Sequence, residues 1–151
     1  MASYFELEPG IFAGKSPGFF DLEEIQKLKV KVIVSLVNLD FDVSKLESLG
    51  YEHHYVLFSK DVTPDYEQLK GFIDIVSESQ REHKPLYIHE DETITRPTLF
   101  LGAYLISKGL SSEDAIIKMG EKLPGAFEVK KDRLALMNYE ARYLKLKKAN
   151  K

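Results

Sequence analysis

No cysteine occurs anywhere in the 151 residues. That excludes disulfides and thiolate metal sites and removes every thiol nucleophile. No apolar run approaches the roughly 20 residues that a bilayer-spanning helix needs. The N-terminus shows none of the charged, apolar and small-residue succession of a secretory signal, so a cytoplasmic location is expected. Charge of one sign is also missing: 21 basic side chains stand against 24 acidic ones, a net charge of −3. Such a balance points away from nucleic acid and from a membrane surface as partners. There are no repeats, no low-complexity stretch and no linker, so residues 1–151 are expected to form a single domain.

What is present is a globular composition, 44% hydrophobic and 30% charged, with strand-like and helical patterns alternating along the chain. Two short strands are expected at Tyr4–Leu7 and Ile11–Ala13, parted by the turn signal Pro9-Gly10. A helix over Leu22–Leu28 leads into the β-branched run Val30–Val37, which suits a buried strand. Ser44 and Glu47 make a capping box for a short helix ending at Gly50, and His54–Phe58 reads as the next strand. Asp65 to Gln80 is an amphipathic helix with Leu69, Phe72, Ile73 and Val76 on one stripe and Asp65 as its N-cap. Leu86–His89 is a short buried strand. Pro97 opens a helix that is apolar almost all round from Leu99 to Ile106, as befits the middle of a fold. Ser111 caps a helix from Glu113 to Lys122, and a last helix runs from about Lys131 to Lys147 with Leu134, Met137, Ala141 and Leu144 as its expected buried stripe.

The joint between His89 and Pro97 carries the most chemistry. A strand, a short loop and a helix N-terminus converge backbone amides on one point, and the helix dipole adds positive potential there. The loop reads Glu90-Asp91-Glu92-Thr93-Ile94-Thr95 and closes on Arg96, whose guanidinium could hold a phosphate through two parallel hydrogen bonds.

His89, Glu90, five residues and Arg96, set between a buried strand and a buried helix, resemble the signature of the cysteine-dependent protein tyrosine phosphatases, dual-specificity members included: His-Cys, five residues, Arg. The resemblance runs through most of the chain. Gly10 to Pro17 is similar to the family's early strand and turn. Asp61-Val62-Thr63-Pro64 with Glu67-Gln68-Leu69 is similar to its general-acid loop and following helix. Gly102 to Leu105, Ser112 to Ala115 and Leu123 to Ala126 resemble the two helices after the signature. The fold this implies is α/β, a central mostly parallel sheet of about five strands flanked by helices.

In the family the thiolate attacks phosphorus, the arginine binds the phosphoryl oxygens and an aspartate protonates the leaving alcohol. The resemblance therefore places Glu90 at the nucleophile position and Asp61 at the general-acid position. Asp91, Glu92, Thr93, Ile94, Thr95 and Arg96 would line the phosphate position, with His89 and Thr98 in structural roles. His89 is expected to orient the loop through a backbone hydrogen bond. Glu90 is no thiol, and its longer side chain enters the space a phosphate needs. Thr93 stands where the family has a loop glycine that is free to take positive φ. Pro97 stands where a hydroxyl residue steadies the thiolate, with Thr98 one place further on.

Glu90, Asp91 and Glu92 also put three negative charges around a cradle for a dianion. Two like charges near 4 Å cost on the order of 1 kcal/mol in water and about 4 near a protein surface. The expected state has the Glu90 carboxylate in the amide nest, paired with Arg96 in place of a phosphate. Arg96 keeps two readings, a partner of loop carboxylates or a working anion site. Asp61 likewise stands either as the general acid's descendant or as a plain surface aspartate. His53, His54 and the acidic loop have ligand chemistry but fit no metal spacing, so neither metal nor cofactor is expected. The basic tail from Lys130 to Lys148 reads most simply as a solvated helix face, the other reading being a docking surface for an acidic partner.

The leading function is an inactive homologue, a pseudophosphatase that binds or regulates, with a phosphoprotein or another protein as partner. The alternative is a weak phosphomonoester phosphatase that works without a thiol. A water-activating carboxylate would need a raised pKa, and Arg96 pushes the other way.

Overall fold

The computed structural model of the chain describes residues 4–15, 21–36, 43–56, 63–90 and 95–149. Five strands form one sheet in the order β1-β2-β5-β3-β4. β1 (Tyr4–Glu8) and β2 (Ile11–Lys15) make an antiparallel hairpin whose turn is closed by Gly10 at φ +89°, a value glycine adopts at little cost. β2, β5 (Leu86–Glu90), β3 (Val32–Ser35) and β4 (Glu52–Tyr55) run parallel. The mostly parallel, five-stranded α/β sheet expected from the resemblance is therefore present.

Alternation along the strands sends apolar side chains to two faces. Ile11, Ala13, Val32, Val34, Leu86 and Ile88 form the larger core with α3 (Tyr66–Arg81), α4 (Thr95–Ser107), α5 (Ser112–Lys122) and α6 (Lys130–Ala149). Phe12, Ile33 and Tyr87 form the smaller core with Ile25 of α1 (Asp21–Lys27) and Leu46 of α2 (Val43–Ser48).

α4 is the central helix, and every residue from Leu99 to Ile106 is buried on it. Phe100 meets Phe72 of α3 edge to face at 5.6 Å between ring centroids. The buried Tyr104 donates its hydroxyl to Glu8 and accepts from Gln80, tying α4 to β1 and α3. Gly102 leaves room for close packing: a Cβ there would lie 3.1 Å from both Leu136 of α6 and Phe127 just before it. Asp65 caps α3 with a reciprocal box, accepting from the Gln68 amide at 2.8 Å while its own N–H donates to Gln68 Oε1 at 2.9 Å. Ser111 caps α5 as expected.

Some expectations need correcting. α2 begins at Val43, so Ser44 lies inside its first turn and is not its cap. β3 ends at Ser35, shorter than the β-branched run, and β4 starts at Glu52, two residues before the expected strand. Leu57 and Phe58 lie outside the described residues. α4 starts at Thr95, with Pro97 third in line and still within the first turn, where its missing N–H leaves no helix bond unmade. The largest correction concerns α6. Leu136 and Tyr139 are its buried residues, while Leu134, Met137 and Leu144 are 45–50% exposed.

Candidate functional site at the joint of β5 and α4

β5 is the middle strand of the sheet, with Gly14 and Lys15 of β2 beside His89 and Glu90 on one side and Ser35 of β3 beside His89 on the other. It ends at Glu90, and α4 begins at Thr95. The joint thus has the strand, short connection and helix N-terminus expected of an anion cradle, at the carboxyl end of a parallel sheet where α/β proteins place their ligands. Asp91, Glu92, Thr93 and Ile94 lie outside the described residues, as does Asp61. The same holds for the side chains of Glu90, Thr95 and Arg96, whose backbone alone is described. Pro97 and Thr98 are buried in the first turn of α4.

Beneath the joint lies a group the sequence did not announce. His89 is wholly buried, and its Nε2 lies 2.6 Å from the hydroxyl of the equally buried Ser35. The same hydroxyl lies 2.7 Å from Nε2 of the half-buried His53 on β4. Parallel register brings the three together: Ser35 pairs with His89, and Ile33, two residues earlier on the same face, pairs with His53.

Burial pushes the His89 imidazole down to about 3, with His53 adding to it, so the ring is neutral near pH 7. Burial likewise lowers His53 first, His54 second. With both rings neutral, one hydroxyl satisfies the pair by donating to one Nε2 and accepting from the other, which puts the two imidazoles in opposite tautomers. The backbone hydrogen bond expected from His89 to the loop falls on residues outside the described ones; within them His89 meets the side chain of Ser35 on the neighbouring strand. Ser35 could have been noticed as the polar end of an otherwise apolar buried strand.

Ser35→Ala leaves two imidazole nitrogens without that hydroxyl. The expected cost is about 1–3 kcal/mol, the usual penalty for orphaning buried polar groups, read by urea denaturation at pH 7. An unchanged midpoint would mean that the contact contributes nothing.

His53 and His54 point to opposite faces of β4. His54 Nε2 lies 2.8 Å from Glu52 Oε2 in an exposed pair, so the two histidines do not converge on one ion. Among the described residues no group of three potential ligands gathers. Asp65, four residues after Asp61, is occupied as the α3 cap, as expected.

No protein-family model matches the chain. The chain is 30% identical over 89 residues to a tyrosine-protein phosphatase CDC14 homolog of Schizosaccharomyces pombe. That stretch is 59% of this chain and 16% of the fission yeast protein's length. Among solved structures, the active form of the phosphatase Tk-PTP superposes with a TM-score of 0.84 at 26% identity, covering 93% of this chain and 97% of that one. PTPMT1 in complex with PI(5)P gives 0.83 at 15% identity over 93% and 96% of the two chains. The human tyrosine phosphatase-like serine/threonine/tyrosine-interacting protein gives 0.77 at 19% identity over 93% and 97%. The chain has the protein tyrosine phosphatase fold and is homologous to a tyrosine phosphatase, and it contains no cysteine.

Proposed function

We propose that this tyrosine phosphatase homologue is catalytically inactive and works as a cytoplasmic binding or regulatory module, its anion cradle closed by Glu90. One observation carries the reading: the scaffold of the chemistry is kept while the nucleophile is absent. β5 still ends at residue 90 beside its parallel neighbours, α4 still starts at Thr95 against a packed core, and the residue between them is a glutamate in a chain without cysteine. A carboxylate there carries the charge of the ligand the cradle would otherwise take. Placed in the amide nest it satisfies the N–H groups and Arg96 and repels a phosphate. Its expected partner is a phosphoprotein or another protein, engaged through surfaces outside the cradle.

The test compares the native chain with Glu90→Cys and Glu90→Ala. The native chain should not hydrolyse p-nitrophenyl phosphate and should not bind vanadate. Shortening residue 90 to alanine should open vanadate binding, and cysteine should add turnover. Native turnover that disappears in Arg96→Ala would overturn the reading and establish a phosphomonoesterase that works without a thiol.

A further inference from the structure

α6 has two apolar faces, and the fold uses only one. Leu136, Tyr139 and Tyr143 turn toward the body of the protein, where Leu136 packs over Gly102 and Tyr139 stacks on Tyr66 at 5.2 Å. Leu134, Met137, Ala141 and Leu144 lie on the other side of the helix, about 150° away at 3.6 residues per turn. Leu134 is 45% exposed and Met137 and Leu144 are each 50% exposed, so none of the described elements covers them. Their steps of three, four and three residues give the 3.5-residue period of a seam that receives a second helix, with the small Ala141 in the middle permitting close approach.

Charge says what kind of helix. Seven basic residues and two acidic ones lie on α6, in a chain whose net charge is −3. Lys145 flanks the end of the stripe and Lys148 continues its line, while Lys147 holds its Nζ over the Tyr143 ring, 5.9 Å from the centroid. These three lysines and the apolar Ala141 and Leu144 line one concavity of about 550 Å³. Among the described residues no carboxylate lies within ion-pair distance of any of the three. Glu140, the acid nearest the stripe, turns to α5, where both its oxygens accept from the amide and hydroxyl of Ser112.

A second copy of the chain would bring an equally basic helix to this surface. A membrane surface would be met by a broad apolar face with bulky aromatics, whereas this seam is two residues wide per heptad and holds none. We propose that the outer face of α6 is a docking seam for an acidic amphipathic helix of a partner protein. Leu134, Met137, Ala141 and Leu144 bury its apolar stripe, and Lys145 and Lys148 meet its carboxylates. The seam stands on α6 alone and holds whether or not the joint of β5 and α4 takes an anion.

A fluorescent three-heptad peptide with leucine at the seam positions and glutamate beside them tests this by anisotropy against the full chain. It should bind in low salt, weaken as salt rises, and outbind a scrambled peptide of the same composition. Met137→Glu with Leu144→Glu should weaken it by at least about tenfold, as loss of a buried apolar anchor does. Both positions are exposed, so the variant should melt with the native chain. Lys145→Glu with Lys148→Glu should shift preference to the same peptide carrying lysine for glutamate, a reversal that mere misfolding does not produce.

The seam is refuted by equal binding of the scrambled peptide, by no binding, or by affinity unchanged in the Met137 and Leu144 variant. It is refuted equally if vesicles of phosphatidylserine and phosphatidylcholine bind where the peptide does not. A concentration-dependent dimer that the same variant abolishes would also refute it, assigning the face to a second copy.

Discussion

Phe100→Ala should cost about 3–5 kcal/mol, the range found when a buried phenylalanine is truncated. Phe100 is wholly buried on a helix with no solvent face from Leu99 to Ile106, and it meets Phe72 edge to face. The cavity left behind is walled by α3 and the sheet, and neither can collapse without undoing its own packing. A domain of ordinary stability has about 5–15 kcal/mol in all, so the variant should sit close to unfolding. The melting temperature should fall by on the order of 10 °C. Leu136→Ala should fall in the same class at about 2–5 kcal/mol. Met137→Ala, one residue along α6 and half exposed, should stay within about 0.5 kcal/mol. Comparable losses at residues 136 and 137 would mean that α6 faces the core differently from the arrangement described above.

Acid should destabilise the chain through His89. Its imidazole is held at about 3 in the folded state, against an ordinary value of 6.5. The unfolded chain therefore binds a proton between these values while the folded chain does not. Stability is at its fullest above pH 6.5, falls as pH drops below that, and levels off only below pH 3. Between pH 7 and pH 5 this one group removes about 2 kcal/mol. His53, also lowered by burial, acts in the same direction.

Urea denaturation at the two pH values reads the effect. His89→Asn should flatten the dependence even though it lowers stability overall. The folded-state ring resonances of His89 should not titrate down to pH 5. A ring that protonates near pH 6 while the protein stays folded would disprove the buried, neutral assignment. Because Ser35 joins His89 to His53 through one hydroxyl, protonating the ring whose Nε2 accepts from that hydroxyl also breaks the donor–acceptor order of the three.

The site and its fold were unevenly legible in the sequence. The hairpin turn at Pro9-Gly10, the Asp65 cap, the buried length of α4 and the position of the β5–α4 joint all came from residues adjacent or a few places apart. Turn conformation, capping and periodicity are local physics, and the structure has them where expected. The trio of Ser35, His53 and His89 was not legible. Ser35 lies 18 residues from His53 and 54 from His89, and only the β4-β3-β5 register makes them neighbours. His53 and His54 had been grouped by sequence adjacency, which is the arrangement a strand separates, since consecutive side chains face opposite ways. The inner face of α6 was misread for a related reason. Leu134, Met137, Ala141 and Leu144 fit a helical stripe as well as Leu136, Tyr139 and Tyr143 do, and periodicity cannot rank two valid faces.

The sequence by itself determined the class of the fold, the position of the joint between β5 and α4, and the absence there of any thiol. These follow from composition and from local patterns that each segment carries within itself. Only the tertiary structure decided which side of α6 meets the core and which is left exposed, because Gly102 lets Leu136 and Phe127 approach α4 closely. It also decided what stands beneath the joint of β5 and α4, since strand order and register bring one serine hydroxyl between two histidines.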